Sequence, residues 1–141
     1  LLAGEGKVRE KSGEQVRQQG LQDHIRFTGF TEDIKGFMES IDIFLLTSLW
    51  EGFGYVIVEA MASKKPVVAF NISSNPEIID DGQNGFLVPF SDTDRFTESI
   101  IRLYEDPGLR EQMGQNARHF AEQHFNIDRT VHEIEQLISS P

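Results

Sequence analysis

A chain of 141 residues, 38% hydrophobic and 26% charged, has the size of one ordinary domain and enough apolar material for a core, which sets it apart from disordered chains. Its net charge of −10 excludes a protein that tracks nucleic-acid phosphates, which needs a basic face, and disfavours docking on an anionic membrane. The absence of cysteine excludes disulfides, thiolate catalysis and cysteine zinc sites, and no apolar run approaches the length of a membrane span.

Leu1-Leu2-Ala3 reads as the end of a strand already under way, closed by Gly4-Glu5-Gly6; with no initiating Met, it points to a fragment cut inside or just before an element. A polar, helix-compatible stretch follows from Lys7 to Gln19, anchored by Val8 and Val16, interrupted by Gly13 and stopped by Gly20. His24 to Thr28 alternates as a strand and closes on Gly29-Phe30. Thr31 is the expected N-cap of a helix carrying Ile34, Phe37, Met38 and Ile41 on one face. Ile43-Phe44-Leu45-Leu46 is a continuous apolar run, the pattern of a strand covered on both faces of a parallel sheet.

A short helix is expected from about Tyr55 to Ser63, then a strand over Pro66 to Phe70 with proline at its first position. Asn75-Pro76-Glu77 reads as a helix start, Asp81 to Gly85 as a turn, and Phe86-Leu87-Val88 as a strand. From Ser91 the chain is helical: Ser91 or Asp92 caps a helix with Phe96, Ile100, Ile101 and Tyr104, and Pro107 breaks it. A second helix carries Leu109, Met113, Ala117, Phe120, Ala121 and Phe125, and a last one Val131, Ile134, Leu137 and Ile138. Strands alternating with helices imply an α/β, Rossmann-like, doubly wound parallel sheet with a helical C-terminal tail. In such sheets ligands sit beyond the strands' carboxyl ends, so Gly4 to Gly6, Gly29-Phe30, Glu51 to Gly54 and Asn71 to Pro76 are expected to line one crevice.

The chemistry concentrates between Glu51 and Glu59. A strand, a Gly52-Phe53-Gly54 turn and a helix N-terminus bring backbone amides onto an anion, and glycine lets the backbone approach a phosphate. Two glutamates bracket the turn with seven residues between them; at 1.5 Å per residue their separation is roughly 12 Å of helix. That matches a ligand with hydroxyls on both sides of a diphosphate, and a carboxylate accepting from a ribose diol is a known device of nucleotide-binding sheets. The plainer reading is a solvated Glu59 and a Glu51 favoured by the helix dipole. Against it, Val56, Ile57, Val58, Ala60, Met61 and Ala62 surround Glu59, which predicts that its carboxylate is partly buried, an expense without a use.

Ser48-Leu49-Trp50-Glu51-Gly52-Phe53-Gly54, Glu59-Ala60-Met61-Ala62 and Pro66-Val67-Val68-Ala69 together resemble the donor-binding domain of the large retaining glycosyltransferase family of GT-B fold, family 4 or glycosyl transferases group 1. Pro76-Glu77-Ile78-Ile79 and Asp81 to Val88 match a second block of that family; Gly4-Glu5-Gly6 and Phe27 to Phe30 match weaker ones, so the resemblance runs from Leu1 to about Val88. It implies one nucleotide-sugar-binding domain over 1–141, with an α/β core over 1–90 and C-terminal helices over 91–141. In that family's terms Glu51 touches the transferred sugar as the catalytic residue, and Gly52, Phe53 and Gly54 present amides to the diphosphate and sugar. Glu59 binds the ribose diol, backbone at Gly29 and Phe30 meets the base, and Gly4 and Gly6 belong to the same site. Ser73, Ser74 and Asn75 approach the sugar or diphosphate.

The donor is expected to be UDP- or GDP-linked. The resemblance implies retaining transfer with no cofactor or metal, in keeping with the lack of an Asp-x-Asp motif at a strand end. The family places Gly where Lys64 stands, a change that costs up to about 1 kcal/mol at a left-handed cap. Its diphosphate-gripping Arg and Lys, the first strand and helix of the domain, and the acceptor domain are expected upstream of Leu1, so this piece alone is expected to bind donor weakly and transfer nothing. A cytoplasmic location is implied, peripheral to a membrane only through the missing domain, with weak self-association through uncovered apolar surface of the last helix. Nucleic acid is not a partner. The competing readings are a nucleotide-sugar-binding or regulatory module without chemistry, and a dinucleotide-binding oxidoreductase resting on Gly4-Glu5-Gly6, which lacks the third glycine of that fingerprint. His24, His119, His124 and His132 show no metal spacing, and Trp50 reads equally as a stacking platform or as core.

Overall fold

The computed structural model describes residues 1–6, 8–50, 52–127, 129, 131, 135, 136 and 138. It divides into two compact units, Leu1–Phe37 and Met38–Pro141.

In the first unit β1 (Leu2–Ala3) pairs in parallel with β2 (Phe27–Gly29), with Leu2 opposite Phe27 and Ala3 opposite Gly29. Between them α1 (Arg9–Gln18) runs unbroken through Gly13 and buries no residue. It stops where expected: Gly20 takes φ +68°, Leu21 N–H donates to Val16 C=O (2.9 Å) and Gly20 N–H to Arg17 C=O (3.1 Å). This is a Schellman turn, closed by the residue that adopts left-handed backbone at least cost. The unit boundary falls within α2 (Ile34–Glu39), which starts on Asp33, whose carboxylate accepts from Gly36 N–H at 2.8 Å. The cap is therefore Asp33 and not Thr31, two residues too early to reach the first turn's amides.

The second unit holds a parallel three-stranded sheet, β3 (Phe44–Leu46), β4 (Val67–Phe70) and β5 (Gly85–Val88), in that spatial order. Phe44 pairs with Val67, Leu46 with Ala69, Val67 with Gly85 and Phe70 with Val88. The central strand β4 is buried at every position, whereas Leu45 of β3 is exposed and its neighbours are half-buried. The expectation of full burial was thus placed on the wrong strand. Apolar composition is the same in both, but β3 is bonded to one neighbour in this sheet and β4 to two. Gly85 lets β5 close on β4, since a Cβ there would lie 2.6 Å from the Val67 carbonyl oxygen.

Helix α3 (Tyr55–Ala62) joins β3 to β4, and the four-residue α4 (Asn75–Ile78) follows β4 with Pro76 in its first turn. Two longer helices follow. Asp92 caps α5 (Thr93–Glu105) by accepting from Arg95 N–H at 3.0 Å; Asp106 caps α6 (Pro107–His124) through Leu109 N–H at 2.9 Å, with Pro107 at the first position. Both starts follow the rule that a short acid satisfies orphan amides of the first turn, and in α6 proline fills the first position, where its missing N–H costs no bond. The core lies between the sheet and these helices, built on Val68, Phe70, Val88, Phe96, Leu103 and Met113. Of the expected last helix, Ile134 and Leu137 lie outside the described residues.

Candidate functional site

Strands β3 and β4 are parallel neighbours, so the loops after Leu46 and after Phe70 leave the same edge of the sheet. The first loop ends in Gly52-Phe53-Gly54 and runs into α3. Gly54 is buried at the helix start, where its carbonyl accepts from Ile57 N–H (2.9 Å) and Val58 N–H (3.3 Å). A Cβ on Gly54 would sit 2.8 Å from Ile57 Cδ1, so the Ile57 side chain would have to turn aside to admit one, and 3.5 Å from Ile78 Cδ1, an ordinary contact. Among the described residues no side chain caps α3, which leaves its positive end open at the strand's carboxyl edge. Tyr55 N–H is turned back onto Phe53 C=O at 2.8 Å.

Gly52 is exposed, and Phe53, 38% exposed, packs edge-on to Tyr55 (4.9 Å between centroids) and to Phe125 (5.8 Å). Glu59 lies five residues beyond Gly54, about 7.5 Å along the axis at 1.5 Å per residue. It is exposed, which corrects the expectation of a partly buried carboxylate. α3 buries only the stripe of Ile57, Ala60 and Met61; Tyr55 and Val56, apolar in the sequence, share the open side with Glu59. The case for Glu59 therefore rests on its access to a ligand and not on burial. Glu51 lies outside the described residues. Trp50 is 76% exposed, so it is no part of the core.

The second loop holds Ser73, at φ +48°, then Ser74 and Asn75. Asn75 Nδ2 donates to Phe70 C=O at 2.9 Å, while Ser74 Oγ and Asn75 Oδ1 are buried with no hydrogen-bond partner among the described residues. An unpartnered buried polar atom costs about 1–3 kcal/mol, a cost that a polar ligand at this edge would relieve. The chain's one Asp-x-Asp sequence, Asp92-Thr93-Asp94, opens α5, where Asp92 serves as a cap and pairs with Arg95 at 3.5 Å.

In the first unit, Gly4 N–H donates to Gly29 C=O (2.8 Å), and both glycines have positive φ, +118° and +73°. Gly29 is buried and Phe30 beside it is exposed. Gly6 C=O accepts from Arg9 N–H at 3.0 Å and borders an open cleft of about 930 Å³ with Arg9, Gly13, Arg17 and Phe27. Glu5, Glu10 and Glu14 offset the two arginines in that cleft, so it carries no net pull on an anion.

What the sequence reading passed over is the support behind α3. Gly114 of α6 lies on the Lys64 carbonyl, where any Cβ would collide, and Arg118 Nη1 donates to Ala62 C=O. Lys64 itself is left-handed (φ +59°), with Lys65 N–H on Ala60 C=O and Lys64 N–H on Met61 C=O, both at 2.9 Å. The signal was present as small residues at Gly114, Ala117 and Ala121, all buried on one face of α6.

Parallel strands flanked by helices, with loops gathered at their carboxyl ends, are the architecture of the GT-B glycosyltransferases, and solved structures of that class cover nearly the whole chain. The family described as glycosyl transferases group 1 matches residues 1–120, and the chain belongs to it. EpsD of Bacillus subtilis is 34% identical over 140 residues, covering 99% of this chain and 36% of EpsD. Anabaena HepE, solved in complex with UDP-glucose, is 32% identical with a TM-score of 0.88, covering 99% of this chain and 40% of HepE. A Staphylococcus aureus TarM variant, solved with fondaparinux, alpha-GlcNAc-glycerol and UDP, is 28% identical with a TM-score of 0.89, over 98% of this chain and 28% of TarM. The chain thus spans well under half the length of these relatives. Among the described residues no helix is long and apolar enough to cross a membrane.

Proposed function

We propose that the chain is the donor-binding part of an enzyme that moves a sugar from a UDP- or GDP-linked donor to an acceptor, with retention at the anomeric carbon and without a bound metal. The observation that carries the reading is the open start of α3 at the carboxyl edge of the sheet, where the Gly52-Phe53-Gly54 turn bears a side chain only at Phe53 and no side chain among the described residues caps the helix. The unpartnered Ser74 Oγ and Asn75 Oδ1 at the same edge support it, as does the likeness to a structure holding UDP-glucose.

In this reading amides of Gly52, Phe53 and Gly54 meet the diphosphate and sugar, Glu59 accepts from the ribose diol, and Glu51 contacts the transferred sugar. Gly29 and Phe30 serve the base, with Gly4 and Gly6 at the neighbouring strand end. The 141-residue chain alone binds donor weakly and transfers nothing.

The test is calorimetric titration of the complete polypeptide with UDP-, GDP- and ADP-sugars, repeated for Glu59→Ala. One nucleotide class binds, and the substitution weakens it by about tenfold or more, the scale of hydrogen bonds to a charged group. If no nucleotide sugar binds, or if Glu59→Ala binds as the unsubstituted protein does, the assignment is wrong.

A further inference from the structure

Helix α6 backs α3 from end to end and antiparallel to it. Gly114 and Arg118 hold the α3 C-terminus through Lys64 C=O and Ala62 C=O, and eleven residues after Gly114 the Phe125 ring meets Phe53 at the other end. Phe125 is itself fixed. Its N–H donates to Ala121 C=O at 2.9 Å, and its ring lies edge-on to Phe120 at 6.1 Å, which in turn faces His124 at 4.3 Å. Phe53 is the middle residue of the Gly52-Phe53-Gly54 turn; the glycines on both sides have no side chain with which to grip anything. Gly54 is tied to α3 through its carbonyl, which accepts from Ile57 N–H at 2.9 Å and Val58 N–H at 3.3 Å. The Phe53 ring is the other handle on this backbone, wedged between Tyr55 and Phe125.

We propose that Phe125 is a positioning residue of the donor site: by clamping the Phe53 ring it sets where the Gly52–Gly54 amides stand. The inference rests on the donor reading above and extends it to a residue more than seventy positions away in sequence. Backbone amides bind a diphosphate only if they are held in place beforehand, so loosening the ring that holds them weakens the ligand without removing a contact to it. The cost is borne by nucleotide-sugar affinity, whereas acceptor affinity is untouched.

The experiment uses the complete polypeptide with Phe125→Leu, which keeps most of the volume, Phe125→Tyr, which restores a ring, and Leu103→Ala, which removes core volume without touching Phe53. UDP-glucose and GDP-mannose are titrated into each, and thermal melting is recorded alongside. For whichever donor the unsubstituted protein binds, Phe125→Leu raises Kd about fivefold, the scale of a lost aromatic pair, while Phe125→Tyr stays within about twofold. Leu103→Ala melts lower and binds as the unsubstituted protein does. Unchanged binding by Phe125→Leu overturns the proposal and leaves the donor reading standing. So does equal weakening by Leu103→Ala, which would make the effect one of general stability. If the unsubstituted protein binds neither of these nor any other UDP-, GDP- or ADP-sugar, the donor reading fails and this proposal with it.

Discussion

Helices α1 and α3 end in the same pair of backbone hydrogen bonds, six-to-one and five-to-two, around a left-handed residue, Gly20 in the first and Lys64 in the second. What lies behind them differs. α1 buries nothing, and among the described residues of the first unit Gly29 alone is buried. α3 buries Ile57, Ala60 and Met61, and α6 runs along it from Lys64 to Phe53. A helix stop is a local event, settled within about five residues of chain. Precision is not local, because it comes from apolar area that another element covers. The turn assigned to phosphate and sugar therefore begins the helix with backing.

The comparison is sharpest where α3 has most to lose. Met61 is fully buried, and Met61→Ala removes a large side chain from the core; the loss in unfolding free energy is expected to be about 2–5 kcal/mol in urea denaturation followed by far-UV circular dichroism. A change below about 1 kcal/mol would mean that α3 is not held as the geometry implies. A smaller effect of opposite sign is expected at Lys64. Its backbone is left-handed and its side chain is exposed, so Lys64→Gly relieves the strain of a Cβ at φ +59°. The expected gain is about 0.5–1 kcal/mol, which would bring α3 to the kind of stop that Gly20 already provides for α1. A loss on Lys64→Gly would show that the lysine stem contributes packing that the backbone comparison ignores.

Much of the element order was legible because glycine, proline and short acids mark it. Gly20 stops α1, Asp92 caps α5 and Pro107 opens α6, each for a reason contained within one turn of chain. The two errors of burial share one cause. Glu59 was expected to be partly buried because its neighbours are apolar, yet Tyr55 and Val56 stand exposed beside it. β3 was expected to be covered on both faces because Ile43 to Leu46 is a continuous apolar run, yet Leu45 is exposed and the central place in the sheet belongs to β4. Hydrophobicity says that a residue can be covered. Which face is covered depends on a partner far along the chain, and for α3 that partner is α6, whose small-residue stripe names no target. In the candidate site, the Gly52-Phe53-Gly54 turn and Glu59 stand out in the sequence and Glu51 lies outside the described residues, while the contact of Phe125 with Phe53 has no local signature.

The smallest effect tests the other half of the comparison. Val16 is the half-buried apolar residue on α1, and its carbonyl accepts the Leu21 N–H that closes the helix. Val16→Ala keeps that backbone bond and removes two methyl groups that are only partly shielded, a loss held under about 1 kcal/mol at roughly 0.8 kcal/mol per fully buried carbon. Alanine returns about 0.5 kcal/mol in helix propensity, since a β-branched side chain loses rotamer freedom in a helix. The two terms nearly cancel, and the net change is expected within about 0.5 kcal/mol, read from hydrogen exchange of the α1 amides. Faster exchange confined to α1 by more than about fivefold would mean that Val16 anchors the helix after all, and that the first unit has a core its burial does not reveal. No change there, beside a large loss for Met61→Ala, is the result that separates a helix stopped by its own chain from one held by its neighbours.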